Sequence, residues 1–428
     1  MHNKRLLSST EIIAKYGFLF IIGCLFLPFL VWADNFTFSG YTEIGTRSTA
    51  EDYEEEDTDD DYSYQNYHLK FEQEVYSRLN YDISSFVYKK DYKSKDSLDN
   101  IFRLFKMSGS YYLRKFKEES LKLDVRLNYK EKRYKNTPGS EYDQLSVAPT
   151  FKFEKKDFYT IDLTTGIDNY DYLVESINDQ LKIFGKIGAD RYFLDKKLML
   201  TSSYKIEQLE KKNIDRQRTK HEFMAGFDYL FDFPWLYKIT TRVGWGQRDT
   251  KQDEERDEDF DYEYWQYYTK TEHRINPKLK TDLKYQYFKK DYINSNLDHS
   301  GFYIQNSWDY EILDNEKQKI WLDFVLEHKD VDYTLKADNN YKKETTEFKA
   351  NYQRKKNWKV SAALEGSAYD FNDSSNDKKR YYAKLSGEKL FFKGDLLLSL
   401  DLKYKFTDYE QDNDKNQKAV RLAFKYKF

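Results

Sequence analysis

Strict alternation of apolar and polar side chains runs through most of this chain, and it limits the kind of element the chain can form. Leu121, Leu123, Val125, Leu127 and Tyr129 fall on one side of an extended segment, with Lys122, Asp124, Arg126, Asn128 and Lys130 between them. The same pattern sets Leu279, Thr281, Leu283, Tyr285 and Tyr287 against Lys280, Asp282, Lys284 and Gln286. It returns in Ile320, Leu322, Phe324 and Leu326 against Trp321, Asp323, Val325 and Glu327, and again over 223–231, 237–245, 358–368 and 396–404. Successive strand residues point to opposite faces, whereas a helix repeats every 3.6 residues, so these segments are half-buried strands. The phase is ambiguous over 82–91 and 262–274. Pro149 has no N–H and is expected to interrupt the pairing of the strand at 144–153.

The alternation breaks roughly every 20 residues, which predicts about 20 strands, within 18–22. Short connectors are expected at 80–81, 154–157, 233–235, 276–277, 314–316, 355–357 and 393–394. Longer polar ones are expected at 49–64, 134–143, 209–218, 248–261, 290–299, 329–340 and 407–416. Trp235, Trp308, Trp321 and Trp358 lie near short connectors, and Trp245 and Trp265 near a long one, as two interfacial aromatic girdles would require.

Composition explains how such strands are solvated. The chain is 34% charged, yet it carries 40 Tyr and 31 Phe with only 5 Pro and 16 Gly, which is not the make-up of a solvated coil. A chain so charged and so aromatic needs two solvents, lipid on one face and water on the other. Past the N-terminal segment no stretch approaches the ~20 apolar residues of a spanning helix. A net charge of -3 argues against a nucleic-acid partner, which calls for a strongly basic surface. The expected fold is all-β: a transmembrane antiparallel up-and-down barrel with short periplasmic turns and longer extracellular loops.

The C-terminal strand carries a resemblance. Val420, Leu422, Phe424, Tyr426 and Phe428 share one face, and Arg421, Lys425 and Lys427 the other. Arg421, Ala423, Tyr426 and Phe428 resemble the C-terminal signal read by the bacterial barrel assembly machinery, with Ala423 where Gly is usual. With the whole-chain alternation, this resembles the Gram-negative outer-membrane β-barrel superclass of porin type. The resemblance implies location in outer-membrane lipid, no catalytic residue, no cofactor, and passive diffusion of small hydrophilic solutes through a charged, water-filled lumen. An export or scaffold barrel, its lumen occupied by a periplasmic partner or an exported polymer, is the alternative.

At the other end, Lys4, Arg5 and Lys15 precede an apolar run from Tyr16 to Trp32 that closes on Ala33. A basic start, an apolar core and a small residue at the end predict a secretory signal peptide over 1–33, cut before Asp34. Residues 34–428 then form a single barrel without a plug domain. Ile21-Ile-Gly-Cys24 resembles a lipobox, but the apolar residues that follow it disfavour lipidation of Cys24, the only cysteine.

The residues expected to line the pore are Lys122, Asp124, Arg126, Lys182, Lys186, Lys238, Arg242, Lys280, Asp282, Lys284, Asp401, Lys403, Arg421 and Lys425. Either this set makes a mildly cationic pore that favours anions, or neighbouring strands pair the charges into a neutral lattice. Glu54, Glu55, Glu56, Asp57, Asp59, Asp60 and Asp61 are candidate weak ligands for a divalent cation, without EF-hand spacing, and 253–259 is similarly acidic. Asp298-His299-Ser300 is the one local cluster with hydrolase-like residue types, and no enzymatic activity is expected from it.

Overall fold

In a computed structural model the described residues form twenty antiparallel strands. It describes residues 36–52, 62–75, 78–92, 99–134, 141–174, 178–212, 216–233, 235–252, 261–293, 297–354, 357–373, 376–391, 396–409 and 415–427. The signal-like segment 1–33 with Cys24, the acidic residues Glu54 to Asp61 and 253–259, and Phe428 all lie outside the described residues.

The first ten strands are β1 (Phe36–Asp52), β2 (Tyr62–Val75), β3 (Leu79–Tyr92), β4 (Asn100–Lys115), β5 (Glu119–Tyr134), β6 (Tyr142–Lys155), β7 (Tyr159–Tyr172), β8 (Gln180–Phe193), β9 (Leu198–Lys211) and β10 (Arg216–Leu230). The second ten are β11 (Leu236–Gln252), β12 (Tyr262–Asn276), β13 (Leu279–Tyr292), β14 (His299–Asp314), β15 (Gln318–Tyr333), β16 (Tyr341–Arg354), β17 (Trp358–Phe371), β18 (Lys378–Phe391), β19 (Leu396–Tyr409) and β20 (Lys415–Lys427). Each pairs with its neighbours in sequence, and β1 pairs with both β2 and β20, so the pairing runs round a ring. Such a ring satisfies backbone N–H and C=O groups within the sheet, as a hydrocarbon environment demands.

Burial tells which face is inside. Along β9, Leu200, Ser202, Tyr204, Ile206, Gln208 and Glu210 are exposed, while Thr201, Ser203, Lys205, Glu207, Leu209 and Lys211 are half-buried. Two adjacent serines differ as much as the large residues do, so curvature rather than side-chain size sets the difference. Side chains crowd on the concave side of a curved sheet and splay on the convex side. The polar face is therefore the lumen. The apolar face carries exposed Leu163, Ile187, Val243, Leu283, Leu364 and Leu400 around the outside, far more apolar surface than a water-facing protein carries.

The strands run further than the sequence suggested. A strand such as β9 has 14 residues; at ~3.3 Å per residue and ~40° tilt it rises ~35 Å, against an apolar band of ~25 Å. Pairing does not stop at the lipid edge, because polar residues continue the same alternation into water. The connectors at the loop end are correspondingly shorter than expected, for example 212–215, 293–298, 334–340 and 410–414.

Four register shifts lie near the short-turn end, between Tyr112 and Arg114, Leu236 and Lys238, Arg274 and Asn276, and Glu311 and Leu313. The extra residues, Leu113, Tyr237, Ile275 and Ile312, are all exposed and apolar, so each bulge adds an outward-facing group at the rim. Pro149 acts as expected: β6 pairs Val147 with Ile167 and resumes at Thr150 with Thr164, skipping two rungs. The ambiguous segment 82–91 pairs continuously within β3, and the uncertain phase of 262–274 ends at the bulge in β12.

Candidate functional site: the lumen and its loop-end mouth

One device closes the loop-end hairpins repeatedly. The N–H of the last residue of the outgoing strand donates to a side-chain oxygen just before, or at the start of, the returning strand. Tyr92 donates to Asp99 (2.6 Å), Tyr172 to Asp179 (2.5 Å), Tyr292 to Asp298 (2.6 Å), Tyr333 to Asn340 (2.5 Å) and Phe371 to Asp377 (2.6 Å). The backbone ties neighbouring loops together as well. Ile293 N–H donates to the Asp261 carbonyl, Thr334 to Asp298 and Asn372 to Asn340. These bonds tie the described strand ends of the mouth to one another.

Register then places the charges by height. At the three lumen-facing positions nearest the loops on β2 to β19, fifteen basic residues stand against two acidic ones, Asp168 and Glu207. The basic set is Lys90, Lys130, Lys132, Lys182, Lys211, Arg216, Arg218, Lys220, Arg248, Lys290, Lys329, Lys343, Lys378, Arg380 and Lys405. Tyrosines alternate with them. The acids of this level face outward instead: Asp91, Asp171, Asp291, Asp332, Asp370 and Asp408.

Towards the short turns the lumen is a lattice of opposite charges. Lys122 meets Asp124 (2.8 Å), Lys238 and Arg242 share Asp228 (2.7 and 2.6 Å), Lys270 lies between Glu272 (3.4 Å) and Asp282 (3.5 Å), and Lys319 pairs with Glu311 (2.9 Å). A cavity of about 360 Å³ opens in this wall beside Lys280, Asp282, Asp309 and Asp323.

Among the residues singled out from the sequence, Lys122, Asp124, Lys238, Arg242, Lys280, Asp282 and Lys284 lie in this lower, balanced zone. Lys182 bonds Asp168 (2.7 Å) near the mouth. Lys186 and Arg126 sit at mid-height, where Lys186 pairs across to Lys205 and Arg126 to Ala148. Asp401 approaches Lys384 (3.9 Å), while Lys403 sits opposite that same Lys384. Arg421 and Lys425 stand opposite Asp401 and Glu43 in the ladder. Ala423 and Tyr426 occupy rungs of β20 opposite Gly45 and Thr42, and the side chains of Arg421, Ala423 and Tyr426 lie outside the described residues.

The place expected of Trp321 needs correction. Trp321 stands opposite Glu311 and Asn351 on the lumen face and is not part of an outer girdle, because unbroken alternation along β15 puts it on the same side as Asp323 and Glu327. Trp308 against Phe324 (5.3 Å) and Trp245 against Trp265 (6.4 Å) do lie on the outer face near the two ends. The Asp298-His299-Ser300 cluster does not assemble. Asp298 caps Tyr292, His299 faces the lumen against Tyr333 (5.1 Å), and Ser300 occupies the opposite face.

A long-range repeat escaped the sequence reading. Over β2–β3 and β12–β13, residues 200 positions apart coincide: Tyr62 and Tyr262, Tyr64 and Tyr264, Lys70 and Lys270, Glu72 and Glu272, Asp82 and Asp282, Lys90 and Lys290, Tyr92 and Tyr292. Their contacts coincide too. Tyr62 and Tyr92 rings are 5.2 Å apart, with Lys90 4.7 Å over Tyr62. Tyr262 and Tyr292 are 5.5 Å apart, with Lys290 3.8 Å over Tyr262. Eight strands lie between the two clusters in either direction round the ring, so they face each other across the mouth.

No protein-family model and no curated protein sequence matches the chain. Solved structures do. The outer membrane transporter YddB from Escherichia coli is similar with a TM-score of 0.55 at 8% identity, over 90% of this chain and 80% of that one. The alcaligin outer-membrane receptor FauA from Bordetella pertussis gives a TM-score of 0.52 at 11% identity, over 90% and 76%. The copper transporter OprC gives 0.52 at 7%, over 90% and 81%. At such identities the likeness is one of fold: the protein has the β-barrel fold of Gram-negative outer-membrane proteins.

Proposed function

We propose that the protein is an outer-membrane channel that passes small hydrophilic solutes by diffusion and favours anions. One observation carries the reading: an apolar outer row and a polar inner row alternate on strand after strand, with an excess of cations on the inner row at the loop end. Twenty strands ~4.8 Å apart and tilted ~40° make a wall roughly 40 Å across, which leaves about 25 Å between inward side chains. That width is ample for hydrated solutes. The described neighbours of similar fold are a transporter, a receptor and a copper transporter, which agrees with traffic across the membrane. The purified, refolded chain in a planar bilayer tests the proposal. Large steady openings with an anion-directed reversal potential support it. A folded but silent barrel would refute it and favour a lumen filled by a periplasmic partner or an exported polymer.

A further inference from the structure

We infer that the two tyrosine–lysine clusters facing each other across the loop-end mouth bind an acidic oligosaccharide, a chain of sugars bearing carboxylates. This rests on the channel reading and gives it a substrate class. Each cluster joins two tyrosines on neighbouring strands with a lysine lying over a ring: Tyr62, Tyr92 and Lys90 on one side, Tyr262, Tyr292 and Lys290 on the other. Arg248 lies 4.5 Å over Tyr262 as well. Recurrence of the same residues with the same contacts, half a ring apart, marks a built arrangement rather than a chance patch.

The chemistry selects the ligand. A ring of cations alone would suit any anion, but two of the three groups that make each cluster are phenols. The faces of Tyr62 and Tyr262 already carry cations, so these rings offer little to an aromatic base that needs a bare face to stack on. Phenol hydroxyls, ammonium groups and a guanidinium make a dense field of donors. Such a field matches a ligand rich in hydroxyls and carboxylates, because charge-assisted bonds to carboxylate are the stronger ones and neutral bonds to hydroxyls add direction. Two facing clusters further favour a chain over a single sugar, since one extended ligand gains from both.

The test uses the full refolded chain and three probes: trigalacturonate, neutral maltotriose and a thymidine hexanucleotide. Each is added on the loop side of a bilayer while blocking of the ion current is read, and each is titrated by calorimetry into the detergent-refolded protein. Trigalacturonate is expected to bind and block. The double variant Lys90→Gln/Lys290→Gln is expected to weaken it by about tenfold or more, the loss of one to two charge-assisted bonds. Tyr92→Phe/Tyr292→Phe, which leaves the charge unchanged, is expected to weaken it about threefold, one neutral bond. Steady channel openings by each variant show that the barrel has folded. Equal binding of the hexanucleotide would overturn the inference in favour of polyanion or nucleic-acid binding, and equal binding of maltotriose would remove the role of charge. No heat and no block by trigalacturonate, in a channel that conducts, would sink the inference while leaving the channel reading intact. Heat without conductance would do the reverse.

Discussion

Concentrating the lumen cations at one end should make the channel rectify. Thirteen net positive charges stand at the three loop-proximal levels of β2 to β19, whereas the lower wall pairs its charges. Spread through a layer about 26 Å wide and about 12 Å high, they amount to a fixed charge on the order of 3 M, the scale that decides pore selectivity. In ~0.1 M salt the loop-end layer would hold almost only anions, because the Debye length of ~10 Å spans most of the lumen radius. The lower half admits both ions. A voltage that drives anions out of the charged layer into the balanced zone then fills the pore with salt, and the opposite voltage empties it. Currents at +100 and −100 mV should differ by roughly twofold to fivefold in ~0.1 M salt and converge above ~3 M, where mobile ions match the fixed charge. A tenfold salt gradient should give an anion-directed reversal potential above ~30 mV, half of the ideal ~59 mV. Neutralising Lys90, Lys220, Arg248 and Lys290 to glutamine should lower both effects by about a third, in proportion to the charge removed. The assay is current–voltage recording of single channels inserted in one orientation. Symmetric currents at 0.1 M would refute the reasoning, since they would mean that the charge is neutralised or evenly spread along the axis.

Other perturbations test the architecture. Asp298→Ala removes the acceptor of the Tyr292 N–H and should cost about 1 kcal/mol in urea unfolding from vesicles, while Asp298→Asn, which Asn340 imitates at Tyr333, should cost little. Leu283→Arg puts a charge on the lipid face and should cost about 2–4 kcal/mol, whereas the neighbouring lumen change Lys284→Gln should stay within ~0.5 kcal/mol by the same titration. At Gly226 an added Cβ would lie 2.0 Å from the Thr241 carbonyl oxygen, so Gly226→Ala should lose about 2 kcal/mol by overpacking the β10–β11 ladder. Gly387, with open space around it, serves as the control and should accept alanine.

The sequence was most legible where a local rule had a single solution. Period-two alternation gave the strands and their lumen faces, because a one-residue slip would turn every Leu of 121–127 into the water and every lysine into lipid. Strand ends were less legible. Lys290-Asp291-Tyr292 fell within the connector expected at 290–299, yet they continue β13, because the ladder extends above the apolar band. Nearness to a short connector misled at Trp321, since alternation along β15 puts it beside Asp323 on the lumen face rather than in an outer girdle. The height of each charge was not legible at all in a list of lumen residues, since it depends on how neighbouring strands are staggered. The 200-residue repeat was present in plain view at Tyr62 and Tyr262. It escaped a reading by single strands because each strand alone repeats only a generic alternation.

That repeat also bears on how the barrel came to have its charge pattern. The ion pairs Lys89–Asp91 (2.8 Å) and Lys289–Asp291 (2.7 Å) recur on the outer rim, and the caps at Tyr92 and Tyr292 recur above them. Register shifts also recur in equivalent places, at Tyr112/Arg114 and Glu311/Leu313. Ten strands with two open edges would present unpaired backbone to lipid, so a unit of this kind is stable only when another copy supplies both missing neighbours. A closed ring of twenty meets that demand, and half-ring spacing sets the β2–β3 cluster opposite the β12–β13 cluster. The ladder keeps the correspondence as well: Arg248 stands opposite Tyr262 and Arg47 opposite Tyr62, one position off the 200-residue spacing. The mouth is thus two-fold in layout, with Arg216, Arg218, Lys220, Arg248 and Lys290 side by side on the lumen face of β10 to β13.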